Sequence, residues 1–230
     1  MNRTLLAALN EARAAKRRVC LVRYLEGAEE ALVVDGAAVL SEVPPDVVEA
    51  VATALRCDQS MAVDTGCGRA FLQVFNPPLR LIVIGAVHIA QALAPMASLA
   101  GYQVTVIDPR RAFATDSRFP DVAMTQDWPD DAMQALAPDR RTAVVALTHD
   151  PKLDDPGLDV ALRSEAFYIA ALGSRRTHAG RLERLKELGH DAATLARIHG
   201  PAGLDIGAVS PAEIAIAVLA ELTRALRVAG

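Results

Sequence analysis

Arg80-Leu-Ile-Val-Ile-Gly85-Ala-Val-His88-Ile-Ala-Gln-Ala-Leu93 reads as a short buried strand from Leu81 to Ile84, a tight turn at Gly85 and a helix from about His88. A strand that passes through glycine into a helix opens the ligand edge of an open α/β sheet. The turn carries backbone N–H groups to the strand's carboxyl end, and the helix N-terminus favours an anion there. A dinucleotide fingerprint needs Gly-x-Gly-x-x-Gly/Ala, and this chain offers Gly85, Val87 and Ala90. At the middle position a pyrophosphate approaches the backbone closely, and the valine side chain stands in its way.

The same pattern repeats downstream. Gln103 to Ile107 is a strand ending at Asp108, Val122 to Thr125 is another, and Thr142 to Leu147 ends in Thr148-His149-Asp150. Ala166 to Leu172 is a further strand and ends at Gly173. Helical spacing covers 88–100, 130–137 and 158–163. Ser174 caps a basic helix through Leu188, with Leu182, Leu185 and Leu188 inward and Arg181, Arg184 and Lys186 solvated. Pro211 opens the last helix, whose buried stripe is Ile214, Val218, Leu222 and Leu226. Such alternation predicts an α/β fold, a parallel sheet flanked by helices.

Upstream the texture differs. A helix over 2–15 precedes strands over 19–25, 31–34 and 37–40, with Glu26-Gly27-Ala28 as a hairpin connection. Pro44-Pro45 starts a helix to about Leu55, and strands over 61–63 and 70–75 flank Gly66-Cys67-Gly68. These make a small α+β unit, and Asn76-Pro77-Pro78 marks its end. The expected division is therefore 1–76 and 77–230.

The 230 residues are 52% hydrophobic and only 4% aromatic, which predicts an aliphatic core with closely packed helices. A net charge of −4 gives no global signal for nucleic acid. No apolar run is long enough to insert in a membrane. Cys20, Cys57 and Cys67 are odd in number and lack Cys-x-x-Cys spacing, which argues for reduced thiols over a disulfide frame or zinc site. The N-terminal stretch lacks a signal-peptide core, so the expectation is a soluble cytoplasmic protein.

Polar residues just after each strand are the first candidates for function. They fall into four clusters: Gly85 to His88, Asp108-Pro-Arg110-Arg111, Thr148-His149-Asp150, and Gly173-Ser174-Arg175-Arg176. Asp108 stands where a ribose-binding acid is expected, or caps a turn. Arg110 and Arg111 suit phosphate oxygens or solvent. His149 suits a proton carrier or a backbone-bonded loop residue, and no second residue at ligand spacing makes it a metal site. His88 can reach an anion or satisfy the start of its helix. Ser174 with Arg175 and Arg176 joins a hydroxyl, two guanidiniums and a fresh helix N-terminus, the best anion site in the chain. Cys67 is the one cysteine in a loop-like setting, and with no adjacent base it reads as an exposed thiol. Asp205, in Gly203-Leu-Asp-Ile-Gly207, either meets a ligand or caps the following turn.

These segments resemble the XdhC/CoxI family of xanthine dehydrogenase accessory proteins. The residues that carry the likeness include Gly85-Ala-Val-His88, Asp108-Pro-Arg110, Phe113-Ala-Thr115, Arg118-Phe-Pro-Asp121 and Thr148-His-Asp150. It continues through Tyr168-Ile-Ala-Ala-Leu-Gly-Ser-Arg175-Arg176, Gly203-Leu-Asp-Ile-Gly207 and Pro211-Ala-Glu213 to Ala220-Glu221, so that it covers roughly 80–225. The chain departs from the family pattern at Val87, where a second glycine is usual, and at Ala170. The resemblance implies a Rossmann-like domain that binds molybdenum cofactor, as molybdopterin or its nucleotide form, and delivers it to an apo molybdenum hydroxylase of the xanthine or carbon monoxide dehydrogenase type. It implies a chaperone and not a catalyst, and extends to a cysteine desulfurase as a second partner. The candidate cofactor-binding residues, taken from the strand-end clusters and the Gly203–Gly207 loop, are Gly85, His88, Asp108, Arg110, Thr148, His149, Gly173, Ser174, Arg175, Arg176 and Asp205.

Two other readings stand beside it. One is an NAD(P)-dependent oxidoreductase, with Arg110 or Arg111 on a 2′-phosphate and His149 as proton donor. Val87 weighs against it, as does the lack of a recognisable acid–base pair. The other is a scaffold that has lost its ligand. The alanine-rich C-terminal helix fits a homodimer or a buried core helix equally well.

Overall fold

The computed structural model describes residues 3–27, 29–110, 113 and 117–228. The chain divides between Pro77 and Pro78 into two compact units. Arg111, Thr115 and Ala28, named above, lie outside the described residues.

The first unit runs α1 (Arg3–Ala14), β1 (Val19–Tyr24), β2 (Glu30–Val34), β3 (Ala37–Val39), α2 (Pro45–Cys57), β4 (Met61–Thr65) and β5 (Gly68–Phe75). Its five strands form an antiparallel sheet in the order β3-β2-β1-β5-β4. Period-2 alternation splits β1 between two apolar clusters. Val19 and Leu21 pack with Leu5 and Leu9 of α1, while Cys20 and Val22 pack with Val47 and Val51 of α2. Burial pushes the Cys20 thiol up to about 12, which leaves it an unreactive core side chain. Cys67 is exposed in the β4–β5 turn, where Gly66 N–H donates to Asp46 at 2.8 Å.

The second unit runs β6 (Leu79–Ile84), α3 (His88–Leu99), β7 (Tyr102–Ile107), β8 (Ala123–Thr125), α4 (Pro129–Leu136), β9 (Thr142–Ala146), α5 (Pro151–Arg163), β10 (Tyr168–Ala171), α6 (Arg175–Glu187), α7 (Ala192–Leu195), β11 (Ile198–His199) and α8 (Pro211–Val228). All its strand pairs are parallel, in the order β11-β10-β9-β6-β7-β8. Counted from β6, this is the 3-2-1-4-5-6 order of the doubly wound dinucleotide fold. Helices cover both faces, so the strands are apolar on both sides. Leu81 and Val83 join a cluster with α3 and α8, and Ile82 and Ile84 join one with α4, α5 and α6. Ala90, Ala94 and Ala97 of α3 are buried beside Ala215 and Val218 of α8, small side chains that let two helices lie close.

Three local readings change. First, α5 begins at Pro151 and not at Leu158. Pro156-Gly157 looks like a break, but Asp150 caps the helix by accepting from Lys152 N–H at 3.0 Å. A Cβ on Gly157 would collide with Ile84 Cδ1, so glycine here lets α5 lie against the sheet. Second, Leu188 is exposed, because α6 ends at Glu187, while Leu185 lies inward as expected. Third, Arg181, read as solvated, is buried, with 2% of its surface exposed.

Candidate functional site

In a parallel sheet every strand ends on the same edge, so the turns after β6, β7, β9 and β10 are collected there. Strand order reverses between β6 and β9, which makes their shared end the crevice of the fold. Gly85 adopts φ +108°, open to glycine at little cost, and donates its N–H to Ile107 at 2.8 Å. A Cβ there would meet Thr148 Cγ2 at 2.5 Å. The first two candidate clusters to come together are therefore the β6–α3 and β9–α5 turns. Val87 turns its side chain onto the apolar cluster beneath α3, and His88 is exposed as the first residue of that helix.

Asp108 follows β7 and is 0% exposed. One oxygen accepts from Ala86 N–H at 2.8 Å and from Arg110 Nη2 at 2.8 Å. The other accepts from Arg110 N–H at 3.0 Å and Nε at 2.9 Å. Burial opposes its charge, and these donors outweigh burial, so its pKa lies below the usual carboxylate range. With both oxygens engaged, Asp108 braces the glycine turn and aims Arg110. Arg110 lies 4.5 Å from the Phe113 ring centroid, and the fields of Asp150 and Asp154 reach it.

The turn after β9 is wound around a hydroxyl. Thr148 Oγ1 donates to Asp154 Oδ1 at 2.7 Å and accepts from Asp150 N–H at 3.0 Å. His149 between them is exposed and held at φ +62°, the left-handed region that residues other than glycine adopt only uncommonly. Asp154 is 1% exposed, and burial pushes its pKa up despite the Thr148 hydroxyl.

The turn after β10 supplies the cations. Ser174 caps α6 by accepting from Thr177 N–H at 3.1 Å. Arg175 and Arg176 are exposed in the first turn and make no ion pair among the described residues. Consecutive helical residues point about 100° apart, and the two diverge accordingly. Arg176 shares a cavity of about 250 Å³ with His149, Thr177, Arg181 and Asp154. Arg175 shares another, of about 340 Å³, with Leu172, Leu204, Asp205 and Ile214. The Asp205 carboxylate is exposed and accepts no hydrogen bond among the described residues, so it caps no turn. His88 lines neither cavity.

Two groups escaped the sequence reading. Arg181 and Asp154 meet beneath the first cavity at 3.5 Å, and Arg184 pairs with Asp155 beside them, Nη2 to Oδ1 at 3.1 Å. Glu221 of α8 accepts from Tyr168 OH at 2.7 Å, Gly203 N–H at 2.8 Å and His199 Nδ1 at 3.1 Å. It thereby holds the Gly203–Gly207 loop that carries Asp205. Burial opposes the Glu221 charge, and the donors outweigh it, so its pKa is lowered. An acid in an otherwise apolar helical stripe was the available signal for Glu221.

Residues 81–222 match the XdhC Rossmann domain. The Escherichia coli (strain K12) molybdenum cofactor insertion chaperone PaoD is 34% identical over 148 residues, which is 64% of this chain and 40% of PaoD. A probable xanthine dehydrogenase subunit from Bacillus subtilis (strain 168) is 33% identical over 153 residues, 66% of this chain and 44% of that protein. E. coli uncharacterized protein YqeB is 34% identical over 164 residues, 70% of this chain and 30% of YqeB. The matched stretch thus spans less than half the length of each of these curated relatives. A crystal structure described as a xanthine dehydrogenase from Bacillus halodurans aligns with a TM-score of 0.72 and 26% identity, over 98% of this chain and 67% of that one.

Proposed function

Because the chain belongs to the XdhC family, whose Rossmann domain it matches over residues 81–222, we propose that it binds molybdenum cofactor at the carboxyl edge of its parallel sheet and passes it to an apo molybdenum hydroxylase. The carrying observation is the pair Arg175 and Arg176, exposed, free of carboxylate partners among the described residues and each lining its own cavity. A pyranopterin phosphate needs cations for its phosphate, acceptors for its ring N–H groups and an apolar wall for its face. The donor set fits. The first turn of α6 with Ser174 offers guanidiniums and backbone N–H groups. Asp205 offers an exposed carboxylate, and Leu204 and Ile214 offer apolar surface. Gly85, Thr148 and Gly173 shape the backbone at this edge, Asp108 aims Arg110 toward it, and His88 and His149 stand at its rim.

The bound cofactor supplies the molybdenum centre on which a hydroxylase works; the residues of this chain bind and orient it. The named relatives support that role, one as a cofactor insertion chaperone and one as part of a xanthine dehydrogenase. A hydroxylase of the xanthine or carbon monoxide dehydrogenase type is the proposed client, a cysteine desulfurase the proposed second partner, and the chain acts as a chaperone. The closed state of Asp108, the acid that a ribose would need, weighs against NAD(P) use.

The test is to isolate the protein from cells that make the cofactor and to measure molybdopterin release and NADPH binding separately. Arg175→Ala and His149→Ala should each weaken pterin retention by about tenfold, the loss of a charged or well-placed hydrogen bond. Unchanged retention in both variants overturns the site. NADPH binding with turnover of a carbonyl substrate overturns the function.

A further inference from the structure

The cavity between α5 and α6 has a floor whose donors are unmatched. Arg181 carries five N–H groups. Its Nη2 donates to Leu172 C=O at 2.9 Å and stands 3.5 Å from Asp154, too long for a good hydrogen bond. Among the described residues its Nε and Nη1 are buried with no hydrogen-bond partner, and Asp154 Oδ2 likewise accepts no hydrogen bond. Buried polar groups are almost always paired, and three unmatched ones at one place call for a group that completes them.

The lining says what kind of group. Pro151, Asp154 and Asp155 come from the first turns of α5, and Arg176 and Thr177 from the first turn of α6. Both helices leave parallel strands at the same sheet edge, so both positive dipole ends face one space. Arg176, Arg181 and Arg184 line it against Asp154 and Asp155, and Asp155 is already taken by Arg184. Burial raises the Asp154 pKa, and even with both carboxylates ionised three guanidiniums face two acids, so positive charge is in excess. A cation would meet three guanidiniums there; an oxyanion meets a fork of planar donors.

We propose that the cleft between the first turns of α5 and α6 is a binding pocket for a phosphate monoester, with Arg176 at its mouth and Arg181 at its floor. At about 250 Å³ it holds a phosphate head while the esterified group extends along the sheet edge. Through Thr148, which donates to Asp154, the pocket is joined to the turn that abuts Gly85 at the crevice. The identity of the ester rests on the cofactor reading; the pocket's preference for phosphate does not.

The experiment uses the full chain with inorganic orthophosphate as probe, followed by phosphorus NMR line broadening and calorimetry. Wild type should bind, Arg176→Ala and Arg181→Met should each bind about tenfold more weakly, and Lys186→Ala on the far face of α6 should match wild type. Arg181→Lys keeps the charge without the fork and should stay weak. If Arg181→Met fails to fold, Arg176→Ala, an exposed position, carries the test alone. Absence of binding at about 10 mM phosphate, or equal binding in wild type and Arg176→Ala, overturns the pocket. A competition arm separates the two proposals. Phosphate binding without competition from molybdopterin leaves the pocket and removes the cofactor from it. Equal retention of phosphorylated and dephosphorylated pterin, with no phosphate binding, removes the pocket and leaves the cofactor reading.

Discussion

Gly85 and Thr148 touch so closely that a single added carbon on the glycine would lie 2.5 Å from the threonine Cγ2. The two turns flanking the crevice are thus mutually fitted. Gly85→Ala adds this clash to a φ of +108° and should destabilise the protein by about 2–4 kcal/mol. Thr148→Ser removes the offending methyl and keeps the hydroxyl, so the double variant should recover the steric share and not the conformational share. Urea denaturation of the four proteins checks it, and additive effects would show that the contact is not felt.

Gly157→Ala sets two effects against each other. Alanine gains about 1 kcal/mol of helix propensity over glycine. The collision with Ile84 Cδ1 should cost about 1–3 kcal/mol of overpacking. The net expectation is a lowered melting temperature. Ile84→Val removes Cδ1, so the pair should be more stable than the sum of the single changes by at least about 0.5 kcal/mol.

His149 is held at φ +62°. His149→Gly should be more stable than His149→Ala by about 1 kcal/mol, because only glycine adopts that conformation freely. Both should lose pterin retention alike. Thermal melts with pterin assays on the same samples compare the two quantities.

Glu221 couples stability to acid. Its folded pKa is lowered from 4.5 by its three donors despite burial, so its contribution is present above the unfolded value and is lost as pH falls through the folded one. Tyr168→Phe removes the 2.7 Å donor and should cost about 1.5–3 kcal/mol at pH 7. The deficit should shrink in acid, as the pH falls below the ordinary 4.5 and through the lowered folded pKa, until the carboxylate is protonated in both proteins. Denaturation curves at neutral and acid pH decide it, and a deficit independent of pH would mean that the ring's packing, not its hydroxyl, is what is lost.

Asp108→Asn keeps the shape and removes the charge that holds Arg110. One oxygen remains for four donors, and the expected loss is about 2–3 kcal/mol. Hydrogen exchange at Ala86 N–H reports the change, since that amide donates to one of the two carboxylate oxygens.

The sheet was legible because its strands are continuous apolar runs and its turns carry glycine or a polar break. Leu81–Ile84 and Gly85 alone imply the central strand and its loop. The Ser174 cap was equally plain, since a hydroxyl before a helical run has one common use. Arg181 was not. Its burial depends on Asp154, whose helix hides behind Pro156-Gly157, and the glycine's reason for being there is Ile84, far away in sequence. Nor does adjacency reveal that Arg175 and Arg176 part company. In sequence they are one basic pair, and only the walls on either side of α6 distinguish them. Asp108 was placed correctly after its strand, but whether its oxygens face outward or into a turn is settled by hydrogen bonds that no spacing encodes.

The parting of those two arginines turns one helix end into a gauge of length. A helix with its side chains is about 10 Å across. A short anion entering one cavity meets only one of these two arginines and leaves the other in water. A molecule long enough to straddle the end of α6 meets both, and gains the second as an intramolecular contact whose effective concentration is already high. Discrimination between a mononucleotide-sized and a dinucleotide-sized guest then needs no base-specific contact at all. It follows from the hundred degrees by which one residue of a helix is turned from the next.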